Sequence, residues 1–354
     1  DGTLQQWISP QIDVCLRTLP AELCAALESD VGAWKDLWAW VDTQCEHNDK
    51  QWVLATANSS ERGWLVGWLP AAVFDEFSVE LLASALIQRM QGDPLELPLQ
   101  YADVSVWMVE SAAAGPMPAL TRGNAGAGLR VLELQSDPLG IQLERWLPPA
   151  EAALARDVDA ICARSGAPAE IVLIAHLAAV LAPISEQANL CVGLVRKGRA
   201  LTELEGCPGR FSYVFPFVIP RDARVGNTVL YCAAQCDAML EWDLRFDLPL
   251  CTAKAGYVVP EYTFEYRKLE AGGFPQALIV DETMQGCLHV QALRQGDAMQ
   301  LEWRYDRARL PAESVQLLHD RLRHALALDA RGEDGNGHPG PDELQRIAAF
   351  AGNS

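Results

Sequence analysis

The sequence predicts a mixed α/β chain organised in two halves. Three observations carry this. Strand-like runs and amphipathic helical stretches alternate along the chain. Its 354 residues exceed what one ordinary core encloses. A glycine-rich break, "GNAGAG" from Gly123, is the best candidate for a boundary between the halves. No internal repeat is visible.

The first half opens its regular structure with "QWVLATA" from Gln51 and "GWLVGWL" from Gly63, two apolar runs joined by polar residues, which predicts a hairpin. Next comes a turn and a helix, with Ser78 read as its cap and Glu80 as suited to its positive first turn. Val79, Leu82, Leu86 and Met90 recur at helical spacing and predict a core face. The second half starts with an amphipathic helix from Pro148, ended by Gly166. Pro168 suits the first position of a buried helix, "AEIVLIAHLAAVLAPI". "LCVGLV" from Leu190 reads as a buried strand. Further strands follow from Tyr257 and from His289, with a turn at Gly296-Asp297. An amphipathic helix from Pro311 closes the half, and "ARGEDGNGHPGPDE" is a linker by composition. The resulting domain boundaries are 1–122 for an N-terminal lobe, 123–147 for a connection, 148–329 for a C-terminal lobe and 330–354 for a linker towards a following domain.

Composition narrows the partners. Half of the residues are hydrophobic and the net charge is −19, which argues against nucleic acid, since phosphate binding needs clustered Lys and Arg. The longest apolar run carries His176 and Pro183 and is too short to span a bilayer. The first ten residues lack a basic flank and an apolar signal core. Ten cysteines are scattered without metal-ligand spacing; Cys232 and Cys236 share a helical face but do not complete a zinc site. Dispersed thiols and no signal favour a reducing cytoplasm. "GNAGAG" is not a phosphate loop, because no strand leads into it and no helix follows. The eleven tryptophans, mostly in the first half, read as core.

"LQYADVSVW" from Leu99 makes the reading specific. Tyr101, Asp103, Val106 and Trp107 fall on the tyrosine-x-aspartate…valine-tryptophan pattern, and the stretch resembles a motif of condensation domains from nonribosomal peptide synthetases. Other segments agree in order. Gly198, Arg199, Gly209, Phe211 and Pro216 match the glycine-arginine strand end and the glycine-x-phenylalanine latch, with Tyr213 where an asparagine is usual. "EWDLRFDLPL" from Glu241 is a loose version of the motif that follows, and "DELQRIAAFAGNS" resembles a linker into an adenylation domain. The resemblance implies two chloramphenicol-acetyltransferase-like lobes in a V arrangement, with a tunnel where donor and acceptor meet. Pro70, Tyr101, Asp103, Trp107, Gly209, Arg210, Phe211, Ser212 and Tyr213 are its motif and tunnel-lining candidates. It further implies no cofactor on this domain, a phosphopantetheine on a partner carrier protein, and a neighbouring adenylation domain.

The chain departs from the family in three places. The two opening motifs have no counterpart, so the first lobe is expected to be incomplete. Whether that shortening is natural stays open. The arginine-aspartate-x-serine motif has no match either. Most important for chemistry, the histidine-histidine-x-x-x-aspartate-glycine turn reads Pro70-Ala71-Ala72-Val73-Phe74-Asp75-Glu76. Ala71 has no polar atom where the resemblance implies a ring nitrogen, and no catalytic residue is assigned. Asp75 is retained as a structural residue, with Arg199 as its expected partner and Arg210 second. Glu76 is the one possible replacement base, set against a solvated residue tolerated where no substrate passes. Ser78 is rejected as a nucleophile because no histidine adjoins it.

Three functions follow in order. The first is a non-catalytic condensation-like platform in a peptide synthetase, docking a peptidyl or aminoacyl carrier protein or a recruited tailoring enzyme. The second is an active acyl-transfer or peptide-modifying enzyme using Glu76. The third is a vestigial spacer.

Overall fold

The structure, a computed structural model, describes residues 15–29, 37, 40, 43, 53–58, 63–68, 74–92, 94, 99–112, 143–184, 189–220, 225–236, 239–240, 260–269 and 286–333. The chain divides into two compact units. One comprises Asp1–Val106 and Gly206–Arg210, the other Trp107–Glu205 and Phe211–Ser354. The "GNAGAG" break, the 241–250 motif and the closing segment from Asp342 lie outside the described residues.

The first unit has a three-stranded sheet in the order β1-β2-β3, formed by Cys15–Thr18, Val53–Asn58 and Gly63–Trp68. β1 runs parallel to β2. β2 and β3 form the expected hairpin, antiparallel and in register from Val53–Trp68 to Asn58–Gly63. Helices α1 (Ala21–Ser29), α2 (Glu76–Gln91) and α3 (Tyr101–Ala112) accompany it, the last crossing the division between the units. Gly92 ends α2 at φ 89°, donating to the Arg89 and Gln88 carbonyls, a left-handed cap that glycine adopts without a Cβ clash.

Two expectations for α2 need correction. Its cap is Asp75 rather than Ser78, because the helix begins at Glu76 and Ser78 already lies inside its first turn. Glu76, not Glu80, is the acid of that turn. The expected core face also fails towards the C-terminus: Phe77 and Ser78 are buried, whereas Leu86 is 39% and Met90 78% exposed. Helical spacing identifies an apolar stripe, but burial depends on what packs against it.

The second unit is a six-stranded mixed sheet in the order β4-β9-β8-β7-β5-β6. Its strands are Leu143–Trp146, Asn189–Arg196, Tyr213–Pro220, Tyr262–Leu269, Leu288–Gln295 and Ala298–Asp306, numbered β4 to β9 in chain order. β4 falls within the 123–147 stretch expected as a connection. β5, β7 and β8 run parallel and the remaining pairings are antiparallel. Helices α4 (Ala152–Ser165), α5 (Ala169–Leu181), α6 (Thr202–Glu205), α7 (Val225–Ala234) and α8 (Ala312–Ala330) complete the unit. α5 is buried from Ile171 to Ala178 without a break, as its all-round apolar sequence requires. Pro168 caps α5 at ψ 156° instead of opening its first turn, since extended backbone there precedes the helix. Among the described residues no single helix is long and apolar enough to cross a membrane.

Strand alternation gives the sheet two different faces. Phe264, Leu288, Val290, Ala292, Leu301, Trp303 and Tyr305 belong to the apolar core with α4, α5 and α8. The intervening residues Thr263, Glu265, Arg267, His289, Gln291, Glu302 and Arg304 are polar, yet also buried. Such a face persists only if its charges are paired. Arg145 grips Glu302 with two hydrogen bonds of 2.6 and 2.7 Å, and Arg304 adds a third at 2.7 Å. Burial pushes the Glu302 carboxyl up, but those two guanidiniums outweigh it and hold the carboxyl below its ordinary value.

Two buried histidines fasten the helices. His176 on α5 has Nδ1 2.8 Å from the Val172 carbonyl and Nε2 3.1 Å from Asp329 Oδ2, and Asp329 also pairs with Arg164 on α4. His319 on α8 accepts a 3.1 Å hydrogen bond at Nδ1 from the Trp303 indole, and Trp146 lies edge-on at 4.9 Å. Burial, reinforced by Arg323, holds the His319 imidazole below its usual value.

A depressed histidine value means that the unfolded chain takes up the proton first. The His319 contribution is therefore complete above the unfolded value of about 6.5 and is lost as pH falls towards the folded value. Thermal unfolding followed between neutral and mildly acidic pH should show a falling midpoint, with a shallower slope in His319→Gln. An identical slope in that variant would assign the dependence to other groups.

Candidate functional site

The stretch where the resemblance implies the chemistry, Pro70 to Glu76, ends at the start of α2. Pro70 and Ala71 lie outside the described residues; Phe74, Asp75 and Glu76 lie within them. Asp75 has extended backbone, at φ −100° and ψ 173°, and its side chain turns onto the first helical turn. Its Oδ1 accepts from the Ser78 amide at 2.9 Å and lies 2.6 Å from the Ser78 hydroxyl. This satisfies an amide that the helix leaves without an internal acceptor. Asp75 is 7% exposed and Ser78 fully buried.

Ser78 does more than occupy the helix. Its Oγ lies 2.7 Å from the Gly209 carbonyl and accepts from the Gly209 amide at 2.9 Å. One hydroxyl thus meets a carboxylate and both backbone groups of a residue 131 positions away. A hydroxyl has one proton and two lone pairs, so Asp75 and the Gly209 carbonyl share its proton while the Gly209 amide takes a lone pair. Gly209 sits in Gly206–Arg210, the five residues that belong to the first unit although both flanks belong to the second.

The other side of this strap rests on α3. A Cβ at Gly209 would lie 2.0 Å from Tyr101 Cδ2, so the tyrosine ring occupies the space that glycine leaves. The Tyr101 hydroxyl donates to the Arg210 carbonyl at 3.2 Å, and the buried Cys207 thiol donates to the Leu99 carbonyl at 3.0 Å. Asp75, Tyr101, Gly209 and Arg210 are thereby brought together. Asp103 and Trp107, also expected at the site, are exposed on α3, Trp107 to 42%. The residue missed was Ser78 as a strap anchor. Its three-residue spacing from Asp75 was legible, but its partner across 131 residues was not.

In the second unit Gly198 has φ 64°, and a Cβ there would come 1.9 Å from the Phe211 carbonyl oxygen. Arg199 follows, donating to the Lys197 carbonyl at 3.1 Å with its guanidinium 4.7 Å from the Phe211 ring centre. Phe211 is buried, while Ser212 and Tyr213 are half-buried where β6 begins. Asp75 and Arg199, expected as a pair, belong to different units.

Glu76 opens α2 and is half-buried. A carboxylate there interacts favourably with the positive end of the helix, so its position is that of a helix-starting residue. Burial pushes the Cys191, Cys232 and Cys287 thiols to about 12, which leaves them protonated and unreactive. Among the described residues no three His, Cys, Asp or Glu are grouped to hold a metal ion.

No family model and no curated protein matches the sequence. Solved structures do match. The condensation domain from the Monacolin K polyketide synthase MokA aligns with a TM-score of 0.68 at 12% identity, over 91% of this chain and 80% of its own. This chain has the condensation-domain fold. The α/β, chloramphenicol-acetyltransferase-like class expected from the motifs is therefore the class observed. The first condensation domain of the CDA synthetase aligns over 95% of this chain and 79% of its own, with a TM-score of 0.60 and 14% identity. The fold is also similar to that in a complex of the X-domain and OxyB from teicoplanin biosynthesis, with a TM-score of 0.63, 17% identity, and 90% and 77% coverage.

Replacing Gly209 with Ala should force the Tyr101 ring aside and lower stability by about 1–3 kcal/mol, the usual range for overpacking. Adding Tyr101→Ala should recover part of that loss, because the ring is what the new Cβ meets. Ser78→Ala leaves the Gly209 amide without its hydroxyl acceptor and should cost about 1–3 kcal/mol, with faster hydrogen exchange at that amide. Additive effects for Gly209→Ala and Tyr101→Ala in denaturant titrations would refute the direct contact.

Proposed function

We propose that this chain is a non-catalytic condensation-like domain of a nonribosomal peptide synthetase, serving as a platform for a carrier protein or a recruited tailoring enzyme. The observation that carries the reading is Ala71. Amide formation between two thioester-bound substrates needs the incoming amine oriented and its proton removed, which calls for a positioned acid/base group. Alanine supplies none, and Pro70 lacks even a backbone N–H.

The surroundings support a scaffold role. Asp75, Ser78, Tyr101 and Gly209 keep a fully engaged arrangement around the start of α2, so the substitution leaves an ordered architecture behind it. The X-domain solved with OxyB is a protein of this fold in a complex with another protein, a precedent for a platform by analogy. The phosphopantetheine arm of a carrier and a neighbouring adenylation domain complete the proposed setting, in the cytoplasm. The Glu76 alternative draws less support, because that residue already serves as the acid of the first helical turn.

A condensation assay with donor-loaded and acceptor-loaded carriers tests this. The wild-type chain should give no amide product above carriers alone, and Glu76→Gln should leave that unchanged, while the chain still retains a loaded carrier or a partner enzyme in a binding assay. Product formation by wild type that Glu76→Gln abolishes would overturn the platform reading.

A further inference from the structure

We propose that Thr263, His289 and Glu265 form a hydroxyl–imidazole–carboxylate relay on the polar face of the second unit's sheet, able to accept an acyl group on Thr263. β7 and β8 run parallel with Thr263 opposite His289 and Glu265 opposite Gln291. That register sets a hydroxyl, an imidazole and a carboxylate side by side on one face.

The distances give each a role. Thr263 Oγ1 lies 2.9 Å from His289 Nδ1. His289 Nε2 faces Glu265 Oε2 at 3.9 Å, an ion-pair separation and longer than a hydrogen bond. Glu265 is fixed in turn, by a 2.7 Å hydrogen bond from Gln291 Nε2 to Oε2 and by Arg267 Nε 3.7 Å from Oε1. In the proposed relay the ring nitrogen facing the carboxylate carries the proton. The other nitrogen, Nδ1, then presents its lone pair to the threonine hydroxyl. This is the order of an activated nucleophile: hydroxyl, base, orienting carboxylate. The long carboxylate contact is compatible with the role, since catalytic hydrogen bonds often tighten only when substrate binds.

All three residues are buried. The His289 side chain is 11% exposed and that of Glu265 2%, while Thr263 as a residue is 8% exposed. The rest of the polar face differs. There Arg145 and Arg304 form charge-assisted hydrogen bonds to Glu302. The other buried histidines have Nδ1 against the Val172 carbonyl or the Trp303 indole.

In the reaction Thr263 Oγ bonds to the carbonyl carbon of an activated ester or thioester, and the bond to the leaving oxygen or sulfur breaks. The hydroxyl proton passes to His289 Nδ1 and then to the leaving group. Water attacks the acyl-threonine next, its proton following the same route through the imidazole. The acid departs and the hydroxyl is restored. This activity goes beyond the platform reading and stands or falls separately from it.

The test uses p-nitrophenyl acetate on the full chain, with peptide mapping after acid quench. One acetyl group should appear on Thr263. Thr263→Ser should keep the labelling and Thr263→Val should lose it. His289→Gln should slow it at least about tenfold, removal of an acid/base group ordinarily costing more than that. Absence of acetyl from Thr263, or an unchanged labelling rate in a His289→Gln protein that melts as wild type does, overturns the proposal. If the histidine variant fails to fold, the wild-type and Thr263→Ser maps still decide.

Discussion

A single buried hydroxyl organises the first unit. Ser78 must satisfy its own position inside the first turn of α2 and the backbone of a strap that arrives from the second unit's part of the chain. It meets both demands because Asp75 holds the helix start and Gly209 has no side chain to keep its backbone away. Tyr101 then fills the space glycine leaves. These four residues come from three separate stretches, and each is shaped by the other three. An unmatched polar group in so buried a place costs more than a hydrogen bond returns, so the arrangement is one in which no member changes alone without loss.

The second unit solves a different problem. A sheet covered on both faces ordinarily reads as continuous apolar strands. Here the strands alternate sharply, and the second face is buried while bearing carboxylates, guanidiniums and an imidazole. On that face Arg145 and Arg304 both pair with Glu302. Beside them in the β8–β9 register, His289 and Gln291 combine groups of different chemistry. The helix-packed face owes its strength to apolar area, with α5 buried on every side. It spends its two histidines on fastening helices: His176 reaches the end of α8, and His319 accepts from a tryptophan of the sheet.

Much of this was legible in the sequence, and the limits have physical causes. The β2–β3 hairpin, α4 with its Gly166 end, α5 and the Gly296 turn are local, and each follows from spacing and turn chemistry over a few residues. The α2 cap lies three residues before the one the sequence suggests, because both Asp75 and Ser78 are good capping types and only backbone geometry chooses between them. Helical spacing places Met90 on a core face, yet it is exposed, because a stripe does not reveal its neighbour. Most of the site was not local. The match of Tyr101 and Gly209 to separate motifs hinted at a relation, but the ring resting on the glycine depends on a contact across 108 positions that no periodicity encodes. The relay around His289 was invisible for the same reason: its threonine and histidine are brought together by strand register alone.

The substitution at position 71 and the retention of Asp75 fit together once the two roles are separated. In the proposed reading, a ring nitrogen at position 71 would act on a substrate. Asp75 acts on Ser78 and through it on Gly209, so its loss would unsettle α2 and the strap whether or not any substrate is bound. A chain released from making amide bonds but still needed as a surface would be free to change the first residue and not the second. Under the proposed platform role, the buried hydroxyl, the glycine beneath the tyrosine and the paired charges on the second unit's sheet are the features that continuing structural demand would hold in place.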